Sequence, residues 1–219
     1  MEVWYLDGGS ETRYRADADK KSVEAFEDLA RAEGYYDAAF GRQALYQHSE
    51  VLRQGKKIEF PDLVPRRITL RKPKSAKKLN PHFLRSDYGI LISDEARAAV
   101  EQLEPETHQF FSVDLVYPDG TISPRQYFLL VVTNRLDALD RAHSLIEIHN
   151  PDKENWTWVA HPPKCVFKES TISGFHLWRD PRCRNRLFGS GELVKLLNDQ
   201  NLRGLEPQGP SRVCDESAV

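Results

Sequence analysis

Apolar and polar residues along this chain fall into short alternating stretches and brief apolar runs, a pattern of many strands and few helices. Val3-Trp4-Tyr5-Leu6 reads as a strand that Asp7-Gly8-Gly9-Ser10 closes with turn chemistry. Over residues 19–33, Val23, Phe26, Leu29 and Ala30 recur at helical spacing with Gly34 at the C-cap position, which predicts a helix. Residues 35–55 keep no single period. Residues 58–60 and 67–71 alternate as half-exposed strands, and 72–81 form a lysine-rich connector bounded by proline. Residues 109–116 predict a strand, Tyr117-Pro118-Asp119-Gly120 a hairpin turn, and 126–132 a central strand covered on both faces, because that run is almost continuously apolar. Residues 145–149, 156–160, 165–168 and 176–178 supply further short strands.

One phrase occurs twice. Residues 88–103 and 186–197 each run from apolar residues through a serine into an amphipathic helix. Ser93 and Ser190 stand where a hydroxyl caps a helix, and Glu95 and Glu192 face the positive end of its dipole. With strands in the majority and no regular strand–helix alternation, the pattern predicts an α+β fold. Its sheet is mixed or mainly antiparallel, with a few flanking helices and two related strand–helix units in the C-terminal two-thirds. A chain of 219 residues buries one good core or two small lobes sharing one. The expected organisation is an N-terminal variable region over 1–83, a core domain over 84–207 and a disordered polar tail over 208–219.

Composition changes this picture little, with 40% hydrophobic and 29% charged residues. No apolar run reaches the ~20 residues that span a bilayer. The N-terminal residues lack a basic leader and a cleavage site, so a cytoplasmic protein without membrane attachment is expected. Cys165, Cys183 and Cys214 are odd in number and unpaired in spacing, as reduced thiols are. Charge is uneven. Residues 53–78 carry ten basic and two acidic side chains, a net +8, which leaves −10 of the overall −2 for the rest of the chain.

Candidate chemistry is sparse. The seven histidines show no HExxH spacing and no CxxC accompanies them, so no metal or cofactor is expected. His161-Pro162-Pro163-Lys164-Cys165 is too extended for a Cys–His dyad. In the cluster of Asn134, Asp137, Asp140 and Ser144 the two aspartates could supply paired carboxylates, but such residues after a strand more often cap turns through backbone hydrogen bonds. There is no Walker loop, no GxGxxG and no GxSxG elbow. The basic segment 53–78 could track phosphates, yet it lacks interleaved aromatics.

Three groups of residues then carry a likeness: 87–95 with 108–113; 127–140 with Ser144; and 173–179 with Ser190-Gly191-Glu192 and 202–207. In that order they resemble a bacterial immunity-protein family of polymorphic toxin systems, formerly catalogued as domain of unknown function 1629. Gly191 departs from the acidic or polar residue usual there. The resemblance implies a non-enzymatic inhibitor of a cognate toxin, with Ser93, Glu95, Asn134, Asp137, Asp140, Ser144, Ser190 and Gly204 as architectural residues. The partner expected is a protein toxin, such as a basic nuclease or other secreted effector, met by a monomer or weak dimer. The acidic remainder suits a basic partner, with Glu101, Glu104 and Glu106 as the contact and Trp156 and Trp158 as anchors. The alternative is a nucleic-acid-binding accessory protein using 53–78, and a third reading is an enzyme using Asp137 and Asp140.

Overall fold

A computed structural model describes residues 1–7, 15–16, 57–58, 64–69, 81–86, 89–148, 157–159, 164–181, 183 and 186–214. In chain order the strands are β1 (Val3–Asp7), β2 (Arg15–Ala16), β3 (Arg67–Thr69), β4 (Phe83–Ser86) and β5 (Gly89–Ser93). Helix α1 (Asp94–Leu103) follows, then β6 (Gln109–Val116), β7 (Tyr127–Val131), β8 (Ile146–Ile148), β9 (Thr157–Val159) and β10 (Val166–Lys168). The chain continues with α2 (Glu169–Ile172), β11 (Leu177–Trp178), β12 (Phe188–Ser190), α3 (Gly191–Asp199) and β13 (Glu206–Cys214). The fold is α+β, as the pattern predicts. The expected helix over 19–33 and most of segment 53–78 lie outside the described residues.

The strands make a sheet ordered β2-β4-β5-β7-β6-β3, a second ordered β10-β13-β1-β12-β11, and the small hairpin β8-β9. Read from its other edge, the second sheet repeats the first strand for strand. β4-β5-β7-β6-β3 and β11-β12-β1-β13-β10 share one sequence of pairings, three antiparallel and then one parallel. Even the outer edge is alike, since β2 lies parallel to β4 at Arg85 and residue Arg135 bridges parallel to Arg179. In both units the helix leaves the second strand of this order and the chain returns as the fourth. The third strand differs in origin. In the first unit it is β7, reached through the β6 hairpin; in the second it is β1, from the N-terminal end of the chain.

The hydrophobic core follows from this duplication. β7 is interior, with Tyr127, Leu129 and Val131 on one face and Leu130 on the other, and Val132 just beyond the strand continues that second face. The central cluster draws on both units: Ile90, Ile92, Ala96, Val100 and Leu130 from the first, and Leu6, Leu177, Leu193 and Leu197 from the second. α1 and α3 also touch each other. Outer clusters cover the far faces of the two sheets, the second built around Phe167, Trp178 and Phe188.

Two expectations are corrected. The polar tail expected over 208–219 is, as far as Cys214, the strand β13, which pairs with β1 on one side and β10 on the other. Its sequence, Glu206-Pro-Gln-Gly-Pro-Ser-Arg-Val-Cys214, carries no apolar alternation, so only its two neighbours hold it extended. The boundary expected at residue 83 falls on the first residue of β4, and β1 belongs with the C-terminal strands.

Candidate functional site

The repeated units place the same polar group at the root of each helix. Ser93 Oγ accepts from Ala96 N at 3.2 Å and Ser190 Oγ from Leu193 N at 3.1 Å, so both serines cap as their spacing predicts. Behind each stands a histidine, with His82 Nδ1 at 3.0 Å from Ser93 Oγ and His176 Nδ1 at 3.0 Å from Ser190 Oγ. The backbone repeats the pairing, since Ser93 N donates to His82 O and Ser190 N to His176 O. Glu95 and Glu192 lie 3.8 and 3.7 Å from the same Nδ1 atoms. A relay triad needs its acid and nucleophile on opposite ring nitrogens, whereas here both meet one nitrogen and the serines are buried. These are cap networks. The sequence holds the signal for them in His82-Phe-Leu-Arg-Ser86 and His176-Leu-Trp-Arg-Asp180, an upstream extension of the repeated phrase.

The two caps differ electrostatically. Burial lowers the His82 pKa, with Arg125 and Arg203 adding to the shift and Glu95 opposing it. For Glu95, burial pushes upward but is outweighed by the hydrogen bonds from Ser93 and its own amide and by Arg125 at 3.4 Å, so its pKa is lowered. Nearby, Tyr127 Oη donates to Pro81 O at 2.6 Å, and burial pushes its hydroxyl up to about 12.

Each helix is followed by a segment that ties into the opposite unit. After α1, Glu104 is buried, and its Oε1 accepts from Asn134 Nδ2 and His176 N at 2.8 Å each. Its Oε2 lies 2.7 Å from His108 Nε2. Thr133 N donates to His108 Nδ1 at 3.3 Å, which leaves the ring proton on Nε2, facing the carboxylate. After α3, Arg203 O accepts from His82 N and Phe83 N at 2.7 and 3.1 Å. Gly204 (φ +114°) follows so close to Phe83 that a Cβ would stand 2.2 Å from its carbonyl oxygen.

These positions revise the acidic candidates. Glu104 faces inward and is unavailable as a contact charge; Glu106 is exposed, and Glu101 is half-exposed and paired with Arg97 at 3.0 Å. Trp156 and the side chain of Trp158 lie outside the described residues. Asp140 Oδ1 accepts from Ala142 N and His143 N, and its Oδ2 lies 2.7 Å from His143 Nδ1. That last hydrogen bond, with help from Cys214, holds its pKa down at about 2 against burial. Ser144 Oγ donates to Val166 O and accepts from Val166 N, and Asp137 is exposed. Sequence reasoning missed Asp180, which is buried and accepts from Ala138 N and Leu139 N through one carboxylate oxygen. Of the basic segment, Arg67 pairs with Asp114 at 3.5 Å. Among the described residues, no group of three His, Cys, Asp or Glu side chains is placed to hold a metal ion, and no helix is long and apolar enough to cross a membrane.

A model of an immunity protein family, Imm11, matches residues 24–209. The chain belongs to the Imm11 immunity protein family. No curated protein matches it. Imm11 membership gives toxin immunity as the class of function and a cognate toxin as the class of partner, in a family that is generally non-enzymatic. The match takes in most of both sheet units; it begins after β1 and β2 and ends within β13.

Proposed function

We propose that this protein neutralises its cognate toxin by binding it directly and occluding it, in the cytoplasm of the cell that makes both. The observation that carries the reading is the Imm11 match over residues 24–209. It is supported by where the polar side chains go, because Ser93, Ser190, Glu104 and Asp180 all act within the fold. Recognition then falls to the outer surface, over an interface of roughly 1,200–2,000 Å² as in other specific complexes. The acidic corner at the end of α1, Glu101 and Glu106, attracts a basic toxin and speeds encounter.

Expression of the toxin encoded beside this protein, with and without it, tests the reading, followed by co-purification. Survival only in its presence, with a stable complex, is the expected result. A toxin that kills equally in both cases and fails to co-purify overturns it. Charge reversal of Glu101 and Glu106 together slows association by about tenfold at low salt and flattens its salt dependence, measured by stopped flow.

A further inference from the structure

One strip breaks the correspondence between the two units. The pairings Ile92 with Phe128 and Gly189 with Trp4 make Phe128 and Trp4 equivalent, and counting from Ser93 and Ser190 makes Arg97 equivalent to Val194. Val194 is buried in the central cluster, against which Trp4 packs in the second unit and Phe110 and Phe128 in the first, so the difference lies at Arg97. In the first unit the same place holds an arginine whose guanidinium lies 4.8 Å from the Phe128 ring centre and 5.1 Å from that of Phe110. Both rings are only partly buried, and Arg97 and Glu101 are each 34% exposed at the side chain. Beside Phe110 on the same face of β6, Ser112 and Asp114 are exposed, so α1 leaves that strand partly uncovered.

The make-up of this strip is that of a recognition surface, because half-covered aromatic rings and an arginine dominate interface energetics. Its surroundings are acidic on balance. Asp94, Glu95, Glu101, Glu106 and Asp114 outnumber Arg67, Arg97 and Arg125, of which Arg125 pairs with Glu95 at 3.4 Å and Arg67 with Asp114 at 3.5 Å, whereas α3 carries Glu192 and Asp199 against Lys195. We propose that the strip of Arg97, Glu101, Phe110, Ser112 and Phe128 is the surface on which the toxin docks. The toxin face that fits it is basic around its rim, with an apolar or aromatic side chain at its centre that packs on the Arg97 guanidinium and the exposed edges of the two phenylalanine rings. This rests on the immunity reading above.

An exchange of the paired charges, Arg97→Glu with Glu101→Arg, tests it, because it keeps an i,i+4 ion pair on α1 while removing the guanidinium from the rings. The control is the same exchange on α3, Lys195→Asp with Asp199→Lys, since those two residues also form an ion pair. Circular dichroism and urea unfolding of both variants establish that each is folded. Affinity for the adjacent-gene toxin is then measured by calorimetry. The expected result is at least a tenfold loss for the α1 exchange and no loss for the α3 exchange. Should the α1 exchange fail to fold, Ser112→Arg, at an exposed position in the strip, takes its place with the same expected loss. Unchanged affinity in a folded strip variant overturns the docking surface and leaves immunity standing. Wild-type protein that neither binds nor protects overturns the immunity reading, and this surface with it.

Discussion

Glu104 shows how one residue can serve a purpose its neighbours in sequence conceal. It sits among Glu101 and Glu106 as if part of an acidic rim, yet its carboxylate accepts from Asn134, His176 and His108 in the interior. Glu104→Gln keeps the shape but turns an amide donor toward other donors. It costs about 2 kcal/mol or more of stability, read from urea unfolding, whereas Glu106→Gln, at an exposed position, stays within about 0.5 kcal/mol. His82 contributes a pH dependence near neutrality. Its pKa in the fold lies below the ordinary 6.5, so the unfolded chain takes up protons that the folded one refuses. The stability contributed by neutral His82 is therefore complete above pH 6.5 and is lost as pH falls through the lowered value. Unfolding midpoints measured between about pH 7 and pH 5 fall for the native chain and fall less for His82→Gln. A slope unchanged in the variant assigns the dependence elsewhere.

At the scale of elements, most of the strands and both long helices were legible in advance because their signals are local. The run Asp94–Leu103 forms a helix with the predicted bounds, and Gln109–Val116 forms the predicted strand. Ser93 and Ser190 each satisfy an amide three residues on, a contact that spacing alone can specify. Ser93→Ala and Ser190→Ala each cost about 1 kcal/mol in thermal or urea unfolding. Because the two caps serve different helices, the double variant loses about the sum. The histidines are carried by the repeated phrase, but their contact with the caps was not legible from spacing. They stand 11 and 14 residues upstream and reach the serines only because β4 pairs with β5 and β11 with β12. β13 was missed for a related reason, since prolines, glycine and polar side chains take strand form there through neighbours distant in sequence.

For the whole molecule, the decisive fact is that β1 completes a sheet whose other strands come from residues 166–214. Val3 pairs with Ser190 and with Ser211, and Lys168, next to the Glu169 that the Met1 amino group meets, pairs with Cys214. The two ends of the described chain thus adjoin where the β6–β7 hairpin turn stands in the first unit. A circular permutant with these ends joined by a short linker and the chain opened between Asp119 and Gly120 exchanges which unit is interrupted. It folds, with a circular dichroism spectrum like that of the native chain and a stability within about 2 kcal/mol. Failure to fold counts against the equivalence of the units. The sequence by itself determined the class of fold, the bounds of α1 and its cap, the central place of the 126–132 run and the family likeness. Each of these rests on residues close together in the chain or on their order along it. Only the tertiary structure decided which strands pair, that Glu104 turns inward, that β13 is ordered and that two like units share one core, because those depend on contacts between segments up to two hundred residues apart, whose mutual fit leaves no local trace.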